Sequence, residues 1–503
     1  MTTRSVPATG VIPARPPRGL VLAVITLTLI TRIRALLSSQ SDPNVGVYYY
    51  IAHLWLHGAL PYVAAWEYKP PGLFAVCAAG LLLFRDTATA SSVLGAIAVI
   101  AAALSAYVIV VSNRVAGSPT AGIVAAFFVV SLSTENAGLL SDAELFVNAW
   151  IGVAFAFVLA RPGWSGVLAG SVAAAAAVQM KLTAAPMLLA IGATLIFQYG
   201  PASIAFCTAY AAIVALPFAL EALLYLSFHA LPAFVDANVS ATLRRAFAVR
   251  HGARTGASLW VRELRLFSPA LELGVFAFAR PSRNALVPVL WLVAAGAAIA
   301  GASEYYDRHF VLLIPPISIF GALGVERIAR LGNRRFRPAI VATVLIGTFL
   351  LHGYYEAAQG LRVAYHRFVL GQSDWQTGDY TVVLAALRQT THGDPSFFAI
   401  QISPDVYEDL HVVPPTRYPF TGNLLDGAMW PMIGFSGGHE FERILATRPH
   451  FIACGPLETK VDPASAALLR GTLARDYTFV REERNVRIYE LRSLAAEPHQ
   501  PRT

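Results

Sequence analysis

The chain is poor in charge, in lysine and in cysteine. Of its 503 residues only 14% are charged and 56% are hydrophobic, against about 25% and about 45–50% in a soluble globular chain. That deficit excludes a purely soluble enzyme, and the apolar excess excludes intrinsic disorder. Of 38 basic residues only Lys69, Lys181 and Lys460 are lysines, leaving 35 arginines. The three cysteines, Cys77, Cys207 and Cys454, are far apart and form neither a C-x-x-C nor a metal-type spacing, so no disulfide framework is visible. Cys77 and Cys207 fall in apolar runs and read as core residues. The chain has no internal repeat, no glycine-rich phosphate loop, no zinc spacing and no Ser-His-Asp arrangement. A nucleotide-driven enzyme is disfavoured.

What is present is a series of long apolar runs. A membrane span needs about 20 apolar residues. Candidates lie near 19–37, 88–112, 119–135, 144–160, 165–181, 183–199, 201–225, 264–280, 285–301, 310–326 and 338–353. The fold class expected is a polytopic α-helical membrane protein of about eleven spans, with a small C-terminal α/β domain outside the cytoplasm. Arg32 and Arg34 in the first run are costly unless they face protein or headgroups. The run 70–84 is too short to cross and reads as interfacial or re-entrant. No small-residue cleavage site follows the polar, basic start of the chain, so the first run reads as an uncleaved helix.

Basic residues in short loops set the orientation. Arg4, Arg15 and Arg18 precede the first span, Arg114 follows the second, Arg161 the fourth, and Arg280 and Arg283 the eighth. Arg327, Arg330, Arg334, Arg335 and Arg337 follow the tenth. With residues 1–18 as a cytoplasmic tail, each of these clusters falls on the cytoplasmic side. The spans then occupy 19–353, with an outer loop at 38–87, and residues 354–503 form the outer domain. From roughly 370 to 495, helix-like stretches (381–387, 441–446, 464–473) alternate with short apolar strands (397–400, 451–454, 477–480, 486–491). That alternation predicts a small α/β domain. The arginine bias and the alanine content point to a GC-rich bacterial genome, hence a bacterial inner (plasma) membrane.

This topology gathers the polar motifs on one face. The loop from Ser41 to Gly72 carries Ile51, Leu54 and Trp55 at helical spacing, which predicts a short amphipathic helix lying on the membrane. It ends in Trp66-Glu67-Tyr68-Lys69-Pro70-Pro71-Gly72. A lone lysine there would be an interfacial snorkel; Glu67 and the aromatics beside it favour a site. Further motifs are Ser141-Asp142-Ala143-Glu144-Leu145-Phe146, Gln179-Met180-Lys181-Leu182-Thr183, Tyr306-Asp307-Arg308-His309-Phe310 with Pro315 and Pro316 beyond, and Pro414-Pro415-Thr416-Arg417-Tyr418. The basic cluster Arg244, Arg245, Arg250, His251 and Arg254 sits in an outer loop, against the positive-inside pattern. It would meet anionic headgroups or a donor phosphate.

In that order, the acid, Gly-x-Tyr, Gly-x-x-Pro-Tyr and Trp-acid-x-Lys-Pro-Pro-Gly elements resemble the bacterial GT-C-fold glycosyltransferases that use polyprenyl-phosphate sugars. This is the family-39-like group that includes protein O-mannosyltransferases and lipid A aminoarabinose transferases. The resemblance spans nearly the whole chain. It departs at one point: an acid usually stands immediately ahead of the Gly-x-Tyr, where this chain has Asn44 and Val45, and Asp42 lies two residues earlier. Either the loop shifts to present Asp42, or another carboxylate is the base.

The resemblance implies an integral membrane glycosyltransferase that moves a sugar from a polyprenyl-phosphate donor to a lipid, polysaccharide or protein acceptor outside the cytoplasm, with inversion at C1. A carboxylate would deprotonate the acceptor, and cations would stabilise the departing phosphate. Asp42 and Glu144 are the candidate catalytic carboxylates. Lys69, Lys181, Arg308 and His309 are the candidate phosphate ligands, and Glu67, Tyr48 and Asp142 the candidate substrate contacts. Asp142 and Glu144 would orient hydroxyls, or hold a divalent cation with Asp42. Asp42, Lys69, Glu144 and His309 are expected around one cavity. The competing readings are a secondary transporter or lipid flippase, which should carry midplane charges and inverted repeats, and a non-catalytic membrane scaffold of the same fold.

Overall fold

The apolar runs start where the sequence supplies a helix cap or an N-terminal proline. Asp42 precedes Pro43, Asp86 caps Thr89, and Ser118 precedes Pro119, as orphan N–H groups at helix starts require. The computed structural model describes residues 15–38, 42–112, 115, 117–135, 138–248, 253–278, 286–301, 306–372, 379–457 and 460–492. Arg4, Arg114, Arg250, His251, Arg280 and Arg283 lie outside them, as does the side chain of Arg254.

The first nine helices are α1 (Arg18–Leu37), α2 (Pro43–Leu56), α3 (Pro71–Phe84), α4 (Thr87–Val111), α5 (Pro119–Leu132), α6 (Ala143–Ala160), α7 (Trp164–Met180), α8 (Ala185–Tyr199) and α9 (Ser203–Ser227). They are followed by α10 (Leu231–Val235), α11 (Ala241–Ala248), α12 (Ala253–Arg265), α13 (Ala270–Phe278), α14 (Leu286–Gly301), α15 (Ile314–Leu331), α16 (Arg337–Thr348) and α17 (Tyr354–Ala364). Among the described residues, six helical stretches are long and apolar enough to cross a membrane: Arg18–Leu37, Thr87–Val111, Ala143–Ala160, Leu182–Ser227, Asp307–Leu331 and Arg334–Val369. Shorter apolar helices (α3, α5, α7, α14) pack among them. Leu189, Ile204 and Phe197 on α8 and α9 are largely exposed, as a lipid-facing belt must be. The chain is a multi-pass membrane protein.

Three expectations change. The eighth apolar run is broken near its start: residues 266–269 turn, and the helix begins at Ala270 (α13), packs along α15 and is described as far as Phe278. The final run does not end near 353 but continues to Val369, with α17 along α1. And α2 is not an amphipathic helix on the membrane surface: Val45 to Ala52 are all buried. The C-terminal domain covers its second face. A Cβ on Gly46 would fall 2.0 Å from Ser403 Oγ, so only glycine admits that approach.

The C-terminal domain follows the alternation in the sequence. Strands β1 (Phe397–Ile400), β2 (Phe451–Cys454), β3 (Tyr477–Glu483) and β4 (Val486–Leu491) form one sheet in the order β1-β2-β4-β3. β1 and β2 are parallel, with Phe397 opposite Phe451, and the β2–β4 and β3–β4 pairs are antiparallel. Helices Asp379–Thr391, Gly437–Ala446 and Pro463–Asp476 accompany it.

Arg32 finds the protein partner its position demanded. It is fully buried and donates to the carbonyls of Ser133 at 3.0 Å and Gly138 at 2.6 Å, beyond the C-terminus of α5. Arg34 pairs with Glu356 of α17 at 3.3 Å. Cys77 and Cys454 are buried free thiols, and Cys207 is half-buried.

Candidate active site

The polar motifs meet where the ends of α1, α6, α7 and α15 face the C-terminal domain. Asp42 is the N-cap of α2, its Oδ1 accepting from Asn44 N at 2.8 Å, Val45 N at 3.3 Å and Asn44 Nδ2 at 3.1 Å. Because Pro43 opens the helix, residues 44 and 45 sit inside the first turn, and the acid that caps it stands at 42. Ser403 Oγ donates to the Asp42 carbonyl at 3.4 Å, tying this turn to the C-terminal domain.

The loop before α3 is held at both ends. Trp66 N donates to the Arg417 carbonyl at 2.7 Å and the Tyr62 hydroxyl donates to the Lys69 carbonyl at 2.6 Å. Gly72 ends the Lys-Pro-Pro turn against α7: its N–H donates to Gln179 Oε1 at 3.1 Å, and an added Cβ would sit 2.6 Å from Gln179 Cβ. Lys69 is buried, with its ammonium 3.1 Å from Glu67 Oε1 and 3.6 Å from the Tyr68 ring centroid. Burial works against this charge, but Glu67 and Tyr68 outweigh it and hold the Lys69 pKa above the ordinary lysine value. Arg245 donates to the Tyr68 hydroxyl. Burial would raise that phenol, yet Arg245 and Lys69 bring it below the ordinary tyrosine value.

A second, deeper tier joins three helix ends. Lys181, just past α7, is hydrogen-bonded to Glu144 in the first turn of α6, and both are buried. His309 Nε2 lies 3.6 Å from Glu144 Oε1, and Arg308 Nε lies 3.7 Å from Asp142 Oδ2. Asp142 caps α6 by accepting from Ala143 N at 2.7 Å. Burial opposes its ionisation, but Arg308 and Lys181 keep its carboxyl below the usual carboxylate range. Tyr48 is buried, its ring centroid 5.4 Å from the Lys69 ammonium. Burial, with Asp142 and Glu67 nearby, pushes its phenol well above the ordinary value.

Against these tiers opens a cavity of about 280 Å³ between the bundle and the C-terminal domain. Asp42, Glu67, Tyr68, Tyr306 and Arg308 form one wall, and Gln401, Asn423, Asp426 and Lys460 the other. Of the four residues expected around one cavity, Asp42 lines it. Lys69 is buried behind Glu67 and Tyr68, while Glu144 and His309 lie in the deeper tier. Desolvation explains the pairing: a buried charge is costly unless a partner stands beside it, so each cation kept from water has its carboxylate, and the capping acid faces the opening.

Sequence reasoning missed the C-terminal wall. Lys460 Nζ sits 4.4 Å from the Tyr306 ring centroid, and Arg308 Cζ lies 4.7 Å from the same ring. The signal available was composition, since Lys460 is the third of only three lysines, and all three belong to this end of the molecule. Among the described residues no group of three His, Cys, Asp or Glu side chains is placed to hold a metal ion. Asp142 faces Arg308 and Glu144 faces Lys181, so the acids once expected to share a cation with Asp42 are matched by protein cations.

No protein-family profile matches the chain, and no curated protein matches it by sequence. Solved structures do. It is similar to ArnT from Cupriavidus metallidurans bound to undecaprenyl phosphate, with a TM-score of 0.60 and 14% identity over 96% of this chain and 100% of that one. It is also similar to the Archaeoglobus fulgidus oligosaccharyltransferase in complex with Zn and sulfate, with a TM-score of 0.52 and 14% identity over 87% of this chain and 68% of that one. A third similarity is to the archaeal oligosaccharyltransferase AglB from the same organism, in complex with an inhibitory peptide and a dolichol-phosphate (TM-score 0.50, 12% identity, 87% and 69%). At these identities the likeness establishes the fold. The chain has the GT-C fold that its motifs resemble.

Proposed function

We propose that the chain is a membrane glycosyltransferase that moves a sugar from a polyprenyl-phosphate donor to the hydroxyl of an acceptor outside the cytoplasm, with inversion at C1. The acceptor is a lipid, a polysaccharide or a protein. The observation that carries this reading is the cavity between bundle and C-terminal domain, where the Asp42 carboxylate shares a wall with Glu67 and Arg308 while Lys69 stands directly behind. The shared fold with proteins solved with undecaprenyl phosphate and with dolichol-phosphate supports the donor class. The reading sets the N-terminus in the cytoplasm of a bacterial inner membrane and the C-terminal domain outside.

In the reaction, Asp42 takes the acceptor proton as the acceptor oxygen attacks C1. The bond from C1 to the phosphate oxygen breaks on the opposite face, and a single displacement inverts the anomeric centre. The leaving phosphate gains charge, and Lys69 and Arg308 stabilise it, with Arg245 acting through Tyr68. A positioned base supplies about 10²–10⁴-fold, and fixed cations in a water-poor site are worth more than in water. Glu144, Lys181, His309 and Asp142 are positioning residues that keep Arg308 and the heads of α6 and α15 in place. Tyr48 and Glu67 set the floor against the sugar, and Lys460 and Asp426 meet the acceptor from the other wall.

The test is a transfer assay on purified protein with a panel of polyprenyl-phosphate sugars, comparing wild type with Asp42→Asn and Lys69→Ala. Release of polyprenyl phosphate by wild type, lost in both variants, is the expected result. Turnover that survives Asp42→Asn would move the base to Glu144. Failure of the wild-type protein to bind any polyprenyl-phosphate sugar would overturn the reading in favour of a transporter or scaffold.

A further inference from the structure

At the end of the bundle away from the cavity, a groove of about 620 Å³ opens between α5, α15 and α16. The stretch Asp307–Leu331 connects the two ends in 25 residues, a rise of roughly 35–40 Å, so the groove lies at the opposite membrane boundary. Its walls are apolar, with Ala121 and Val124 of α5 facing Val341 and Leu345 of α16. Its mouth is polar: Ser118, Thr120, Glu326, Arg330 and Arg337 line it.

The charges at the mouth do not balance. Glu326 accepts from Ser118 N at 3.1 and 3.3 Å and from Arg330 Nη2 at 2.6 Å, so its carboxylate is committed. Arg330 keeps 65% of its side chain exposed. Arg337 is half-buried, with an enclosed Nε that finds no hydrogen-bond partner. Two guanidiniums therefore face one carboxylate, and the positive end of α5 points to the same place. On its other side the groove meets lipid, since Ile346 and Leu350 beyond it are more than half exposed.

We propose that this groove binds one anionic glycerophospholipid of the leaflet opposite the candidate active site. The headgroup phosphate would lie between the guanidiniums of Arg330 and Arg337, and an acyl chain would run between α5 and α16. One negative charge closes the local balance, and a planar guanidinium suits a phosphate oxygen pair. Basic pockets between membrane helices hold anionic headgroups by this combination of charge and apolar wall. The site is independent of the transfer reaction proposed above and stands or falls separately from it.

The experiment is native mass spectrometry of the full chain, delipidated in detergent and titrated with phosphatidylglycerol or with phosphatidylcholine of the same acyl chains. Phosphatidylglycerol should be retained as a single tight adduct and phosphatidylcholine should not. Arg330→Gln with Arg337→Gln should weaken retention about tenfold or more, whereas Arg334→Gln with Arg335→Gln, exposed arginines outside the groove, should leave it unchanged. Equal retention of the two lipids would overturn the proposal, as would equal loss in both double variants, which would mean diffuse surface charge. Should the first double variant fail to fold, a photoactivatable phosphatidylglycerol on the wild-type protein decides. Labelling within α5 and α16 sustains the site, and labelling elsewhere overturns it.

Discussion

At the cavity end of the bundle, Lys69, Lys181 and Arg308 each stand beside a carboxylate: Glu67, Glu144 and Asp142. At the other end Glu326 accepts from Arg330 and from Ser118 N, and Arg334 and Arg335 are exposed. The same kind of charge has opposite consequences in the two places. Buried cations at the cavity need compensation, because removing one partner leaves a desolvated charge. Arg330, Arg334 and Arg335 at the far end keep their hydration and contribute little to folding. Local charge at the cavity is therefore part of what holds the fold, whereas at the far end it stays at the surface.

The sharpest test of that contrast is Asp42→Asn, which keeps the α2 cap, since Asn caps as well as Asp. Polyprenyl-phosphate release should fall by about 10²–10⁴ while thermal unfolding in detergent is unchanged. Lys181→Met comes next: it strands Glu144 in the deeper tier and should destabilise by about 3–5 kcal/mol. Adding Glu144→Gln should recover most of that loss, and failure to recover it would break the pairing argument. For Lys460→Ala, on an exposed stretch of the C-terminal wall, the apparent acceptor KM should rise up to about tenfold with kcat nearly constant; an equal loss in kcat would bring Lys460 into the transition state.

A pH test separates the cavity from the seam beside it, where His53 Nδ1 of α2 lies 2.8 Å from Glu408 Oε1 of the C-terminal domain. Burial, reinforced by Asp409 and Asp405, pushes Glu408 up from 4.5 to about 7. A raised acid contributes stability below its ordinary value and loses it as pH rises through the folded one. Wild type should therefore lose more stability than Glu408→Gln between about pH 5 and about pH 8, read by thermal unfolding. His53, held low by burial and by His57 and His411, opposes this trend, so Glu408→Gln should be compared in a His53→Gln background as well. The smallest effect belongs to the far end: Arg334→Gln with Arg335→Gln should change stability by no more than about 0.5 kcal/mol.

Much of the fold was legible because its causes are local. A long run of apolar residues with a proline or an acid at its head became a helix, as at Pro71, Pro119 and Ala143. The four strands were legible as short apolar runs between helical stretches. The eighth run misled because its apolar content masked the turn ahead of Pro269. α2 misled because its second face is covered by Ser403 and Asp405, hundreds of positions away; the Ser403–Asp42 hydrogen bond spans 361 residues.

The candidate site divides in the same way. The sequence by itself determined that the chain crosses a membrane, that its polar motifs cluster at one end of the spans, and that Lys69 enters the apolar phase beside Glu67. Only the tertiary structure decided which acid faces the opening, that Glu144 and Lys181 withdraw together from it, and that Gln401, Asn423, Asp426 and Lys460 supply the second wall. The reason is one of range. Hydrophobic segmentation and capping act within a turn or a span of chain, whereas a cavity is the space left between elements that meet only after both have folded.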